Sequence, residues 1–371
     1  MPDFDTVSEI SASSIAFVNG TPIDLVESIN ANNRPPISSS AWLAGSRSTT
    51  IAYAQGNDWN SNWTSYSGPT DGGERIRWVV YGRNSDGNRT WLMCTDDNSE
   101  EIIASSTADP PTNSGDWTVI NAASSDGLRG GAFNSRTGKW ILCGKMQGEG
   151  GQSWKYLQVS TDGINFSAVD ISSLTDISTS DIISIACDGV STWVFGQRDR
   201  LYKSVDDGNT WTLSKDFNDG RTIKAVVYHR SRWLIAYSEV SPPAGGGGFA
   251  ATSTDLNTWS VSSDEVGNVE IGAAAGNGVY IVVAGGKMLR STNGTSWTLT
   301  TDTWGSNSIG GAVGDVATDG IGNWVVCNLR GRIFYSTDDG ETWSQANIDS
   351  SSGDSGDDWE CIAPAKILPH Q

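Results

Sequence analysis

The chain has 371 residues and a formal charge of −19, with 24 Lys and Arg against 43 Asp and Glu. That balance argues against nucleic acid as a partner, because duplex binding depends on Lys and Arg displacing condensed counterions, and it disfavours polyanionic glycans and anionic membranes for the same reason. Gly at 43 and Trp at 17 make a strand-and-turn composition, and no apolar run approaches the length of a membrane span.

Residues 1–39 carry no repeat. Ile15 to Val18 and Ile23 to Val26 flank Asn19-Gly20, a hairpin turn signal. Asn32-Asn33-Arg34-Pro35-Pro36, followed by serines, reads as a linker. This segment is expected to be a docking arm and residues 40–371 the main domain. Met1 to Gly20 lacks the basic and apolar regions of a signal peptide, so synthesis and folding in a cytoplasm are expected.

From Trp42 onward two sets of aromatics alternate. Trp42, Trp91, Trp140, Trp193, Trp233, Tyr280 and Trp324 each open a short apolar strand, 40 to 53 residues apart. Trp63, Trp117, Phe166, Trp211, Trp259, Trp297 and Trp343 fall between them. Seven pairs imply seven repeats, and a period in the forties holding four short strands is that of a propeller blade. Burying one Trp ring removes about 150–250 Å² from water. At about 25 cal/mol/Å² that contributes roughly 4–6 kcal/mol before entropy, so most of these rings are expected to hold the blades together.

A third series precedes the strand-opening aromatics: Arg75 to Tyr81, Leu128 to Phe133, Asp181 to Cys187, Thr222 to Tyr228, Val269 to Ala275 and Ala312 to Thr318. Their Ala and Gly content suits innermost strands crowded near an axis. The seventh member lies at the other end of the chain, Trp359 to Pro364. The C-terminal strand is therefore expected to complete the blade that Trp42 begins, removing the open edges of the sheet. The fold class is all-β: a seven-bladed propeller of four-stranded antiparallel blades, closed in this way.

The second aromatics end a recurring turn. Its full forms are Ser204-Val205-Asp206-Asp207-Gly208-Asn209-Thr210-Trp211 and Ser336-Thr337-Asp338-Asp339-Gly340-Glu341-Thr342-Trp343. Shorter forms carry Ser160, Asp162, Gly163 and Phe166, then Ser253, Asp255 and Trp259, then Ser291, Asn293, Gly294 and Trp297. The Asp or Asn side chain accepts hydrogen bonds from the backbone of the turn it opens, and Gly takes the left-handed position. The motif resembles the Asp-box, or bacterial neuraminidase, repeat of β-propellers over residues about 40 to 365.

Cys94, Cys143 and Cys327 each follow a strand-opening Trp at one offset, the mark of a small core filler; with Cys187 and Cys361 the count is odd, and no zinc spacing or disulfide framework is present. In an up-and-down blade the Asp-box turn leaves from one face of the disc. Connections between strands two and three, and between blades, leave from the other. The long segments Thr95 to Gly115, Lys145 to Trp154, Ser167 to Ser180, Glu239 to Gly248, Thr300 to Gly311 and Gln345 to Asp358 are expected on that second face, where a rigid scaffold carries recognition. Trp154, Trp304, Arg198, Arg200, Arg330 and Arg332 are the candidate contact residues. No cofactor is expected; Asp349, Asp354, Asp357 and Asp358 could offer oxygen ligands to Ca²⁺, but their spacing matches no known calcium loop.

Sialidases share the Asp-box resemblance, which for them implies six blades, three Arg on a substrate carboxylate, a Tyr–Glu nucleophile pair and an Arg-Ile-Pro motif. Here Arg75-Ile76-Arg77 lacks the Pro, and Arg75, Arg77 and Arg129 are the inner-strand arginines. A paired-carboxylate glycosidase could draw on Asp181, Glu270, Asp315 or Glu360, and a histidine mechanism only on His229. No catalytic set follows from these residues. The short boxes look like those of bacteriophage tail and virion-associated propellers. That resemblance implies a non-enzymatic tail, fibre or decoration component of a virion, docked to other virion proteins through residues 1–39 and presenting its loop face to a host glycan or protein. The alternative is an extracellular glycan-binding or sialidase-like propeller. Photosystem II assembly-factor propellers also resemble this chain in having seven Asp-box blades, although their basic patch is at odds with its charge.

Overall fold

The computed structural model describes residues 17–18, 21–22 and 41–365, apart from 70–74, 85, 97–101, 122–127, 148–152, 172, 175–176, 178–179, 240–246, 268–269, 302, 305–306, 309–311 and 350–357. The chain divides into two units, Met1–Ser39 and Ser40–Gln371. In the first, Phe17–Val18 pairs antiparallel with Thr21–Pro22, leaving Asn19 and Gly20 between them. The second strand thus begins earlier than Ile23, because a two-residue turn pairs the residues that flank it directly. Ile23 to Val26 lie outside the described residues.

The second unit is a ring of seven antiparallel blades. From the axis outward, blade one is Trp359–Pro364, Trp42–Ser46, Thr50–Ala54 and Asn62–Ser67, and blade two is Arg75–Arg83, Arg89–Asp96, Ile102–Ser106 and Thr118–Asn121. Blade three is Leu128–Asn134, Lys139–Gln147, Ser153–Ser160 and Ser167–Ala168; blade four is Ser184–Cys187, Trp193–Gln197, Arg200–Ser204 and Thr212–Asp216. Blade five is Thr222–His229, Arg232–Ser238, Gly248–Ser253 and Ser260–Val261; blade six is Gly272–Gly276, Val279–Ala284, Lys287–Ser291 and Thr298–Thr301. Blade seven is Val313–Thr318, Trp324–Asn328, Ile333–Ser336 and Ser344–Gln345. Each innermost strand lies against that of the next blade, round to blade one.

The ring closes as the sequence predicts. Trp42 is paired with Pro364, Leu43 with Ala363, Ala44 with Ile362 and Gly45 with Cys361. Blade one also gains a fifth strand, Asn347–Asp349, running parallel to Asn62–Thr64 on its outer edge. The expected loop from Gln345 to Asp358 is therefore partly strand.

Two other expected loops also shrink. Thr95 to Gly115 contains the strand Ile102–Ser106, so its two halves leave from opposite faces of blade two. Lys145 to Trp154 is mostly strand: Lys145 pairs with Lys155 and Met146 with Trp154. Lys145 and Met146 continue the strand that Trp140 opens, while Ile102–Ser106 is a third strand with no opening aromatic of its own.

Burial follows the aromatic rhythm. Trp42, Trp63, Trp91, Trp140, Trp193, Trp324 and Trp359 are fully buried. The apolar clusters straddle blade boundaries; one joins Val279, Ile281 and Val283 of blade six to Trp324, Phe334 and Trp343 of blade seven. Trp59, outside the repeat, stacks on Trp42 with ring centroids 5.8 Å apart and accepts the Trp63 indole N–H at its carbonyl. All five cysteines are buried and free.

The turns work as read, with one substitution. In blade four Ser204 Oγ accepts the Gly208 N–H (2.8 Å), Asp206 Oδ1 accepts the Thr210 N–H (2.8 Å), and the Trp211 indole donates to the Gly208 carbonyl (3.1 Å). Blade seven repeats this set with Ser336, Asp338, Gly340, Thr342 and Trp343. Hydrogen bonds to Thr210 hold the Asp206 carboxyl down at about 2, and backbone N–H groups of Thr258 and Asn257 do the same for Asp255. In blade five Leu256, at φ 62°, takes the left-handed place that Gly fills in the other short turns, and its side chain is buried.

The second Asp of the long turn ties blades together. Asp207 accepts from Trp193 Nε1 (2.9 Å) in its own blade and Asn134 Nδ2 (3.0 Å) in blade three, and pairs with Lys139 at 3.0 Å. Asp339 likewise takes both oxygens to Asn277 Nδ2 of blade six. Asp207→Gly, which removes the carboxylate without straining the backbone at φ 58°, should cost about 2 kcal/mol in urea unfolding, against about 1 kcal/mol for Asp206→Ala, because it strands three partly buried donors.

Candidate functional site

The axis of the ring holds a cavity of about 300 Å³ lined by all seven innermost strands. Five of these strands break register at one equivalent residue: Arg77, Arg129, Lys224, Gly314 and Glu360. An extra residue at a β-bulge is left out of the ladder, and here it faces the axis. Ile183 and Ile271 take the same place in blades four and six, and all seven residues line the cavity. The residues before the bulges are apolar and buried, such as Ile76, Leu128, Ile223 and Val313. In the five bulged blades one residue faces the axis and the one before it faces the core.

Charge is sorted around this ring. Arg77, Arg129 and Lys224 come from blades two, three and five, and Glu270, Asp315 and Glu360 from blades six, seven and one. Glu360 is bonded to both Arg47 and Arg77, the latter at 3.0 Å. Arg47 also reaches Glu270 at 3.0 Å and Asp358 at 3.7 Å, while Arg129 pairs with Asp181 at 3.1 Å. Of the acids named from sequence, Glu270, Asp315 and Glu360 line the cavity and Asp181 does not; all but Asp315 are paired with an arginine. Arg47 was not legible as a member: it sits on the hairpin between Trp42–Ser46 and Thr50–Ala54, and only ring closure brings Glu360 to it.

Asp315 differs from its neighbours. It opens on the cavity, yet burial pushes its carboxyl up to about 7, against the pull of two backbone donors, Val316 N at 2.8 Å and Ile362 N at 3.3 Å. Gly272 faces it: a Cβ there would come within 3.0 Å of Asp315 Oδ1. A carboxyl that keeps its proton up to about 7 when folded, but releases it near 4 when unfolded, binds more protons in the native state between those values. Its contribution to stability therefore falls as pH rises through that window and is constant above it. Wild type should lose stability relative to Asp315→Asn between about pH 4 and pH 7, which urea midpoints at pH 5 and pH 8 will check.

The candidate contact residues lie away from the axis. Arg198 and Arg200 flank the hairpin between strands two and three of blade four, and Arg330 and Arg332 the matching hairpin of blade seven. Connectivity sends both hairpins from one face, with blades five and six between them in chain order. Arg198 is exposed at φ 51°, and Arg200 is bonded to Asp216 at 2.9 Å. Trp154 lies within the strand Ser153–Ser160, and Trp304 pairs with Asn307 in a small hairpin; both side chains fall outside the described residues.

Of the calcium candidates, Asp349 is in the fifth strand of blade one and Asp358 faces Arg47, while Asp354 and Asp357 are outside the described residues. Among the described residues no group of three or more His, Cys, Asp or Glu is placed to hold a metal, and no helix is long and apolar enough to cross a membrane. His229 Nε2 accepts the Gly278 N–H at 2.9 Å, and burial lowers its pKa to about 4, so at neutral pH it is an uncharged packing residue.

No family model and no curated protein matches the chain. Among solved structures it is similar to YCF48 bound to D1 peptide, at 16% identity and a TM-score of 0.48, over 73% of this chain and 81% of that one. It is also similar to YCF48 from Cyanidioschyzon merolae, at 13% identity and a TM-score of 0.49, over 73% of this chain and 84% of that one.

Proposed function

We propose that this protein is a non-enzymatic interaction propeller that docks through residues 1–39 and presents the face of its strand-two-to-three hairpins to a partner. One observation carries the non-enzymatic part: three of the four carboxylates named for glycoside cleavage are tied into ion pairs, which leaves Asp315 without a second free carboxylate to complete a catalytic pair. Glu360 and Glu270 are held by Arg47, and Asp181 by Arg129, whereas a glycosidase needs a second carboxylate free to attack or to activate water. The docking part is supported by the division of the chain at Ser39, with a hairpin of its own in the first unit. The finer reading, a virion component that binds other virion proteins and meets a host glycan or protein, rests on the short turns that resemble those of phage propellers.

Deleting residues 1–39 should leave the thermal transition of the propeller within a few degrees of the full chain while abolishing its incorporation into particles. Full incorporation of the deleted chain would remove the docking claim. Turnover of a chromogenic glycoside, lost on Asp315→Asn, would replace the interaction reading with the glycosidase one.

A further inference from the structure

Most charges around the axis satisfy one another, and two do not. Lys224, from the bulge of blade five, lines the cavity, and among the described residues no carboxylate is paired with its ammonium group. Asp315, two blades further on, accepts one backbone N–H on each oxygen, which leaves each with a free acceptor position. Between them blade six lines the cavity with Glu270, Ile271, Gly272 and Ala273, and Glu270 is already paired with Arg47 at 3.0 Å. An ammonium and a carboxylate thus line the cavity from the blades on either side of blade six. The cavity, at about 300 Å³, is at the lower end of the range of small-molecule sites.

We propose that the axial cavity binds a small amino-carboxylate, its carboxylate held by Lys224 and its ammonium group by Asp315. The arginines nearby cannot take the anion as readily, since Arg77 and Arg129 are committed to Glu360 and Asp181. A purely cationic ligand would meet Lys224, and a purely anionic one Asp315, so each single charge is opposed by one side of the site while a zwitterion satisfies both. The titratable groups facing Asp315 are Glu270 from blade six, Cys327 from its own blade, and Glu360 and Cys361 from the closing strand. The site is independent of the docking role of residues 1–39.

The test is calorimetric titration of the full chain at about pH 8, where Asp315 is ionised. The probes are glycine, β-alanine and γ-aminobutyrate, with butyrate and butylamine as single-charge controls at matched ionic strength. At least one amino-carboxylate should bind saturably and the controls should not. Lys224→Gln and Asp315→Asn should each weaken that binding about tenfold or more. Lys224→Glu should exchange the preference, so that butane diamine binds and the amino-carboxylate does not, a result that loss of folding could not produce. The proposal is overturned if no amino-carboxylate saturates at millimolar concentration, if butyrate or butylamine binds as well as the zwitterion, or if both neutral variants bind like wild type. Failure here would leave the docking claim standing, since deletion of residues 1–39 tests that claim separately.

Discussion

A chain ending at Asp358 should no longer unfold as one cooperative unit. The missing strand, Trp359–Pro364, is the innermost strand of blade one, and its Trp359, Cys361 and Ile362 side chains are buried. Losing the indole alone removes roughly 4–6 kcal/mol of burial, and the Ile adds about 2 kcal/mol, together comparable with the whole net stability of a typical domain, about 5–15 kcal/mol. The strand also joins three blades: Ile362 N donates to Asp315 of blade seven, and Glu360 is bonded to Arg77 of blade two. Without it the edge of Trp42–Ser46 is left unpaired and open to association. Urea unfolding followed by circular dichroism should show a broad, shifted transition, and size-exclusion chromatography should show oligomers. A synthetic peptide spanning residues 357–366 should restore the sharp transition. Closure would lose its importance if the truncated chain melted at the full-length midpoint.

The second large effect is expected from the strand-opening tryptophans. Trp324→Ala should cost about 3–5 kcal/mol, in the range for a large buried ring, because Trp324 packs across the boundary between blades six and seven, against Val279, Ile281 and Val283. The conservative change separates packing from hydrogen bonding. Among the described residues the Trp324 indole nitrogen has no partner, whereas that of Trp193 donates to Asp207 Oδ1 at 2.9 Å. Trp193→Phe should therefore cost about 1 kcal/mol more than Trp324→Phe. Equal losses for the two Phe variants would mean that the Asp207 bond adds nothing net. A loss below about 1.5 kcal/mol for Trp324→Ala would mean that the blades are not held together by these rings.

Blade number and ring closure were legible in the sequence because they rest on large residues at a long, regular period. The aromatic that opens strand two, Trp in six blades and Tyr280 in blade six, must bury its ring, so the rhythm survives wherever loops lengthen. Short apolar runs gave no comparable signal. Ile102-Ile103-Ala104 lacks an opening aromatic and reads as part of a loop, although it is the third strand of blade two. The axial charges were half legible. Asp181, Glu270, Asp315 and Glu360 lie in the inner-strand segments that the repeat marks out, but Lys224 and Arg47 did not stand out. Strict alternation along Thr222–His229 would assign Lys224 to one face, and the register break between Ile223 and Ala225 re-aims it. Arg47 needs contacts more than 300 residues away in sequence, between Arg47 and Glu360. Leu256 shows the converse: a turn built without its usual Gly when side-chain burial offsets backbone strain.

The recurrent bulge separates two kinds of selection. A residue outside the ladder can change size or sign without disturbing the apolar neighbour that anchors its sheet, so axial positions without an ion pair, such as Lys224 and Gly314, can mutate nearly alone. Arg, Ile, Lys, Gly and Glu already share that one place in a single chain. Descendants of this protein could acquire new central chemistries by altering one letter at a time at those positions, with the surrounding sheets left intact.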